Sequence, residues 1–189
     1  MKELSLHILD IVQNSIKAEA KNIAIDIEEN SATDTLTITV TDDGCGMSEE
    51  FLARVRDPFT TTRTTRKTGM GISLFEAAAV QTGGNLDIKS KLGEGTTLTV
   101  TFGLTNIDRA PLGNMAGTMV AIIGGAPDIN YIYKHKTDKG EFVLDTRDLR
   151  EVLGDVPFDV PEVLEWINGY IEEGLAEIKR KTKNKKQYH

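Results

Sequence analysis

The stretch from Leu36 to Asp42 constrains this chain most, because a carboxylate closes a row of apolar side chains. Leu36, Ile38 and Val40 are spaced by two, so they share one face of a strand, and Asp42 is the next residue on that face. An unpaired carboxylate there costs several kcal/mol or takes up a proton, so the position calls for a hydrogen-bond donor that the chain does not obviously supply. A ligand amine is a donor of the right kind. The turn that follows contains Gly44 and Gly46, which let the backbone bend sharply and come close to whatever Asp42 holds. Taken alone, Asp-Asp-Gly reads as an ordinary acidic β-turn.

The company this turn keeps changes the reading. Upstream, Leu4 to Ala20 has Leu4, Ile8, Ile11, Val12 and Ile16 at helical spacing, with Asp10, Asn14 and Lys17 on a second, polar stripe. Downstream, Thr68-Gly-Met-Gly-Ile-Ser73 opens a helical run, and Gly93-Glu-Gly-Thr-Thr97 opens a strand. In order and spacing, these segments resemble the asparagine box and the three glycine boxes of the GHKL superfamily. That superfamily joins gyrase, heat-shock chaperone, histidine kinase and mismatch-repair ATPases, and the histidine kinase type is the nearest. The resemblance covers residues 4 to 104 and rests on four boxes together, since any one alone is weak.

The resemblance implies an α/β (α+β) two-layer sandwich, the Bergerat fold, with a mixed, mostly antiparallel sheet and helices on one face. It implies Mg-ATP bound between the layers. Asp42 would accept from the adenine amino group, and Thr96 would join it at the adenine edge. Asn14 would offer its amide oxygen to Mg²⁺. Gly44, Gly46 and Met47 would border the base, and Phe59 falls at the family's phenylalanine box. Residues 60 to 68, rich in threonine with no aliphatic side chain, are expected to form a mobile loop, which the resemblance makes the ATP lid, with Arg63, Arg66 and Lys67 as the cations that could close over the phosphates. Gly69, Met70 and Gly71 are expected just ahead of a helix from Ile72 to Gln81, leaving its first N–H groups free for anionic oxygens. Asp10 stands where the gyrase, chaperone and mismatch-repair branches carry a glutamate general base, and is one methylene shorter. Lys67-Thr68 lacks the upstream glycine and the Gly-Lys-Ser/Thr order of a P-loop, which excludes that class.

Two function classes follow. One is a free-standing kinase subunit or slow ATPase with a regulatory role; histidine kinases carry their phosphoacceptor on a helical hairpin ahead of this domain, and here the domain is expected to start almost at residue 1. The other is a non-catalytic binding module, in which ATP sets the lid and a C-terminal extension in a form that a partner protein recognises. His7 lies on the nucleotide helix and reads as a packing or surface residue. Cys45 is the single cysteine, which rules out an internal disulfide, and three histidines form no cluster at metal-ligand spacing.

The net charge of −7 argues against a nucleic-acid-binding protein, and no apolar run reaches the length of a membrane span. A cytoplasmic protein is expected. The domain of residues 1–104 is followed by an extension, 105–189. There, Leu112 to Ile123 reads as a helix, Tyr131 to Lys136 and Phe142 to Asp145 as a hairpin, Thr146 as the cap of a helix to Leu153, and Pro161 as the start of a helix through Glu177. The last helix has an apolar stripe and Trp166, a surface to bury against the first domain or a partner. The basic run from Lys179 to Lys186 reads as a solvated helix end.

Overall fold

The structure is a computed structural model that describes residues 2–55 and 66–187, with side chains described for 2–55 and 71–179. Phe59, Arg63 and the lid through Thr65 lie outside the described residues. In chain order the elements are α1 (Leu4–Lys17), β1 (Asn22–Asn30), β2 (Thr35–Asp42), α2 (Glu49–Val55), α3 (Arg66–Val80), β3 (Asn85–Lys91) and β4 (Gly95–Gly103). There follow α4 (Met115–Gly125), β5 (Asn130–Thr137), β6 (Gly140–Asp145), α5 (Thr146–Leu153) and α6 (Pro161–Gln187).

Alternation along the strands builds one six-stranded sheet in the order β3-β4-β2-β1-β5-β6. Every neighbouring pair is antiparallel except β1 and β5, which run parallel. The register aligns like with like: Ile25 faces Val40, Val40 faces Leu98, and Leu98 faces Ile88. These side chains, with Tyr131 and Tyr133 of β5 and Phe142 and Leu144 of β6, form a buried face. Each such aliphatic side chain contributes roughly 1.5–3 kcal/mol by leaving water. The opposite face is polar, with Thr37, Thr39 and Thr41 of β2 paired to Thr101, Thr99 and Thr97 of β4.

The helices supply the second layer. Leu4, Ile8, Ile11 and Val12 of α1 are buried, as are Ile72, Phe75 and Ala79 of α3, and Met119, Ile122 and Ile123 of α4. Helix α6 buries Ile167 and Ile171 and packs against α4 and β6. The sheet runs across residue 104, where the family resemblance stops: β5 adds directly to β1, with Asn22 opposite Asn130.

Two local expectations need correction. Helix α3 begins at Arg66, so Gly69, Met70 and Gly71 lie inside it and not ahead of it, and Arg66–Thr68 are not loop. A helical glycine costs only about 1 kcal/mol relative to alanine, and the buried Ile72, Phe75 and Ala79 offset that cost. The cap of α5 is Asp145, whose carboxylate accepts from the Arg147 amide at 2.9 Å. Thr146 is buried instead, with its hydroxyl accepting from the Tyr131 amide at 2.8 Å.

Candidate functional site

A cavity of about 210 Å³ opens between α1 and the sheet. Ile11, Val40, Ile72, Ile88 and Leu98 supply apolar wall; Asn14, Ser15, Asp42 and Thr96 supply the polar atoms. Met47 and Phe51 lie at the same cavity, as do Lys17, Cys45 and Gly46. Of the residues expected at a nucleotide, Asn14, Asp42, Gly46, Met47 and Thr96 are thus brought together.

Asp42 sits where the strand pattern puts it, at the end of β2 and directly opposite Thr96 on β4. The donor that the sequence does not obviously supply is present in the fold, twice over. The Ser15 hydroxyl donates to Oδ2 at 2.6 Å, and the Gly44 amide donates to Oδ1 at 2.9 Å. A carboxylate has about four acceptor sites, so each oxygen retains capacity for a ligand. These two bonds fix the orientation of the group before anything binds.

Thr96 is held in the same manner. Its Oγ1 lies 2.8 Å from Ser90 Oγ, which also accepts from the Met47 amide at 2.8 Å and lies 3.1 Å from the Gly95 carbonyl. Ser90 thereby ties β3, β4 and the glycine turn into one corner. Ser15 and Ser90 were not picked out from the sequence, yet the signal was present. Ser15 lies on the apolar stripe of Ile8, Ile11 and Val12, and Ser90 continues the row of Leu86 and Ile88, just as Asp42 continues its own row.

The glycines of the turn also answer to the protein's own backbone. A Cβ on Gly44 would lie 2.8 Å from the Ala18 carbonyl oxygen, and one on Gly46 would overlap the Lys91 carbonyl. Gly46 also has φ +71°, which favours glycine. The turn is clamped between α1 and the β3–β4 turn, with the Cys45 amide on Ala18 O at 2.9 Å and the Gly93 amide on Cys45 O at 2.8 Å. What approaches these glycines closely is protein backbone. Asp43 is structural as well: the Asn22 side chain and the Lys21 and Asn22 amides bond its carboxylate and hold its pKa below the usual range.

Asp10 is absent from the cavity lining, and its Oδ2 accepts from Lys2 Nζ at 2.6 Å in an exposed pair. A Cβ on Gly71 would stand 3.6 Å from the Asp10 Cβ, so Asp10 faces the first half of α3. Lys67, Gly69 and Met70 belong to that half, and their side chains are outside the described set. His7 is a packing residue: it is buried, stacks on Phe75 with ring centroids 4.9 Å apart, and leaves Nδ1 without a partner among the described residues. Burial, with help from the Lys2 charge, lowers its pKa.

The family model described as histidine kinase-, DNA gyrase B-, and HSP90-like ATPase matches residues 2–106. The chain belongs to that family. Among curated relatives, histidine protein kinase DivJ of Caulobacter vibrioides is 34% identical over 97 residues, covering 49% of this chain and 16% of the relative. The non-motile and phage-resistance protein of the same organism is 30% identical over 111 residues, covering 54% of this chain and 13% of the relative. The chain therefore spans well under a fifth of the length of either relative. Among solved structures, the Aquifex aeolicus MutL ATPase domain complexed with ADP gives a TM-score of 0.50 at 13% identity, covering 81% of this chain and 69% of that one. That likeness is one of fold, and it covers more of the chain than the family model does. Among the described residues, no helix is long and apolar enough to cross a membrane.

Proposed function

We propose that the cavity between α1 and the sheet binds Mg-ATP, and that the protein uses it for phosphoryl transfer to a partner or for slow hydrolysis. The observation that carries this reading is the Asp42 corner: a carboxylate at the end of an apolar row, pre-oriented by Ser15 and Gly44, with the Thr96 hydroxyl beside it. That pairing of acceptor and adaptable hydroxyl suits the amino edge of a purine, and the aliphatic walls suit its faces.

The triphosphate would leave the cavity toward Asn14 and the start of α3, where the amides of the first three helical residues, Arg66 to Thr68, precede the first intrahelical bond. Arg63, Lys67, Gly69, Met70 and Gly71 are the candidates around it. Asn14 would be the protein's ligand to Mg²⁺. Among the described residues no group of three metal-ligating side chains exists. One amide oxygen, phosphate oxygens and water match the way Mg²⁺ is usually held, so the donor set fits that ion. When bound, the ion would draw charge from the phosphate oxygens. The protein's own part is to hold the base at Asp42, exclude water along the aliphatic wall, and place Asp10 beside the transferring end.

A second reading is a non-catalytic module in which ATP sets the lid and α6 for recognition by a partner protein. The Asp10–Lys2 pair favours it, because it engages the carboxylate outside the cavity lining. Incubation with γ-phosphate-labelled ATP, alone and with lysate, separates the two. Released or transferred label supports the first reading; bound but unchanged ATP supports the second; no binding of ATP refutes both.

A further inference from the structure

A second cavity, of about 330 Å³, lies at the far end of the sheet from the Asp42 corner, between the 109–113 segment, the start of α4 and α6. Its polar side chains are Glu29, Arg109, His135 and Lys179; Leu36, Leu112, Met115, Leu175 and Ile178 make its apolar surface. Its size is at the lower end for small-molecule sites.

The polar groups are built into the fold. His135 is 2% exposed, and its Nε2 lies 2.6 Å from Glu29 Oε2 while its Nδ1 lies 3.2 Å from the Tyr133 hydroxyl. The two bonds are satisfied together when the Tyr133 hydroxyl donates to Nδ1 and Nε2–H donates to Glu29. Arg109 is pinned to the chain by Nε on the Leu104 carbonyl at 2.6 Å and Nη1 on the Ala110 carbonyl at 3.0 Å. Its Nη2 has no partner among the described residues. The His135 bond first, and then the charges of Arg109 and Lys179, hold the Glu29 carboxyl below the ordinary range. Neither cation closes an ion pair with Glu29 or with any other described carboxylate.

Two cations and one carboxylate therefore surround an apolar floor, leaving one positive charge unanswered. A metal ion would be repelled by the cations. A dianion such as phosphate would exceed the charge and lose its hydration against the leucines and Met115. We propose that this cavity is a second ligand site that takes a small amphipathic monocarboxylate. The carboxylate lies between Arg109 and Lys179, and the apolar body rests on Leu112, Met115 and Leu175. The assignment is independent of the ATP reading, since it shares no lining residue with the first cavity.

Hexanoate is a suitable probe, with hexan-1-ol and hexylamine as its uncharged and cationic counterparts, titrated into the full chain by calorimetry or by amide NMR shifts. Hexanoate is expected to bind saturably, with shifts centred on residues 109–115 and 175–179, at least tenfold tighter than either counterpart. Lys179→Glu, an exposed change that spares the fold, is expected to weaken hexanoate about tenfold. Arg109→Gln should weaken it further, with a thermal melt run alongside because Arg109 also holds two carbonyls. Equal binding of the alcohol, an unchanged affinity in Lys179→Glu with the fold intact, or no saturable binding by about 10 mM hexanoate would overturn the proposal.

Discussion

Asp42→Asn is the sharpest test of the adenine assignment, because the geometry says which contacts survive the change. The amide is isosteric with the carboxylate. Its oxygen can keep the Gly44 N–H at the Oδ1 position, and its NH₂ can donate to Ser15 Oγ, since a hydroxyl accepts as readily as it donates. The internal bonds are thus retained in number, and the melting temperature should move little. Toward the cavity the outcome differs, because an NH₂ now stands where an acceptor was and meets the purine amino group donor against donor. Loss of one hydrogen bond to a charged acceptor, together with a desolvated donor, comes to about 2 to 4 kcal/mol, or roughly 30- to 800-fold in Kd. Calorimetric titration of ADP and ATP into parent and variant measures this directly. An unchanged affinity with an unchanged melt would refute the assignment of Asp42 to the base.

Cys45 is exposed at the rim of the same cavity, so Mg-ATP should slow its reaction with a thiol reagent, and equal labelling rates would argue against occupancy there. If Asp10 acts as a base, single-turnover hydrolysis should slow by about 10² to 10⁴ in Asp10→Asn and hold or rise in Asp10→Glu; a rate unmoved in both leaves only the Lys2 pair. Gly46→Ala should cost about 2 to 5 kcal/mol by chemical denaturation, from positive φ plus overlap with the Lys91 carbonyl. Gly83→Ala, at φ +84° with open space around it, should cost only about 1 to 2 kcal/mol; equal losses would deny that the turn is packed as described. His7 has its folded pKa below the 6.5 of the unfolded chain, so as pH falls through 6.5 the unfolded state takes up a proton that the folded state refuses, and stability drops. His7→Phe should flatten that part of the melting profile, and an unaltered slope would place the titration elsewhere.

How far the fold could be read from the sequence depended on the range of the signal. Period-two rows such as Ile23, Ile25 and Ile27 announce a half-buried strand, and the β1–β2 hairpin follows from a short polar turn. Asp42 was legible because it breaks such a row. Ser15 and Ser90 break rows too, but a serine on an apolar face is so often a tolerated small residue that its partner gives it meaning only once the elements meet. The start of α3 was misjudged because glycines punctuate chains in general, while here Phe75 and Ile72 pull the helix back through them. The parallel pairing of β5 on β1 left no local trace. Tyr131 and Tyr133 predict a strand, and nothing in their neighbourhood says which edge they join.

That pairing has a cost in time. Asn22 finds its partner Asn130 only after a further 108 residues have been made. On a ribosome adding roughly 5 to 20 residues per second, the outer edge of β1 stays open for about 5 to 20 seconds. Once Gly103 has been made the nascent chain can close β1, β2, β3 and β4 over α1, yet until β5 follows one margin of that sheet shows unpaired amides and carbonyls backed by isoleucines. A neighbouring copy on the same message could add to that margin as readily as β5 can. The segment beyond residue 104 therefore acts as the chain's own late-arriving guard, and the order in which the two halves emerge makes the interval before it arrives the period of greatest exposure to misassembly.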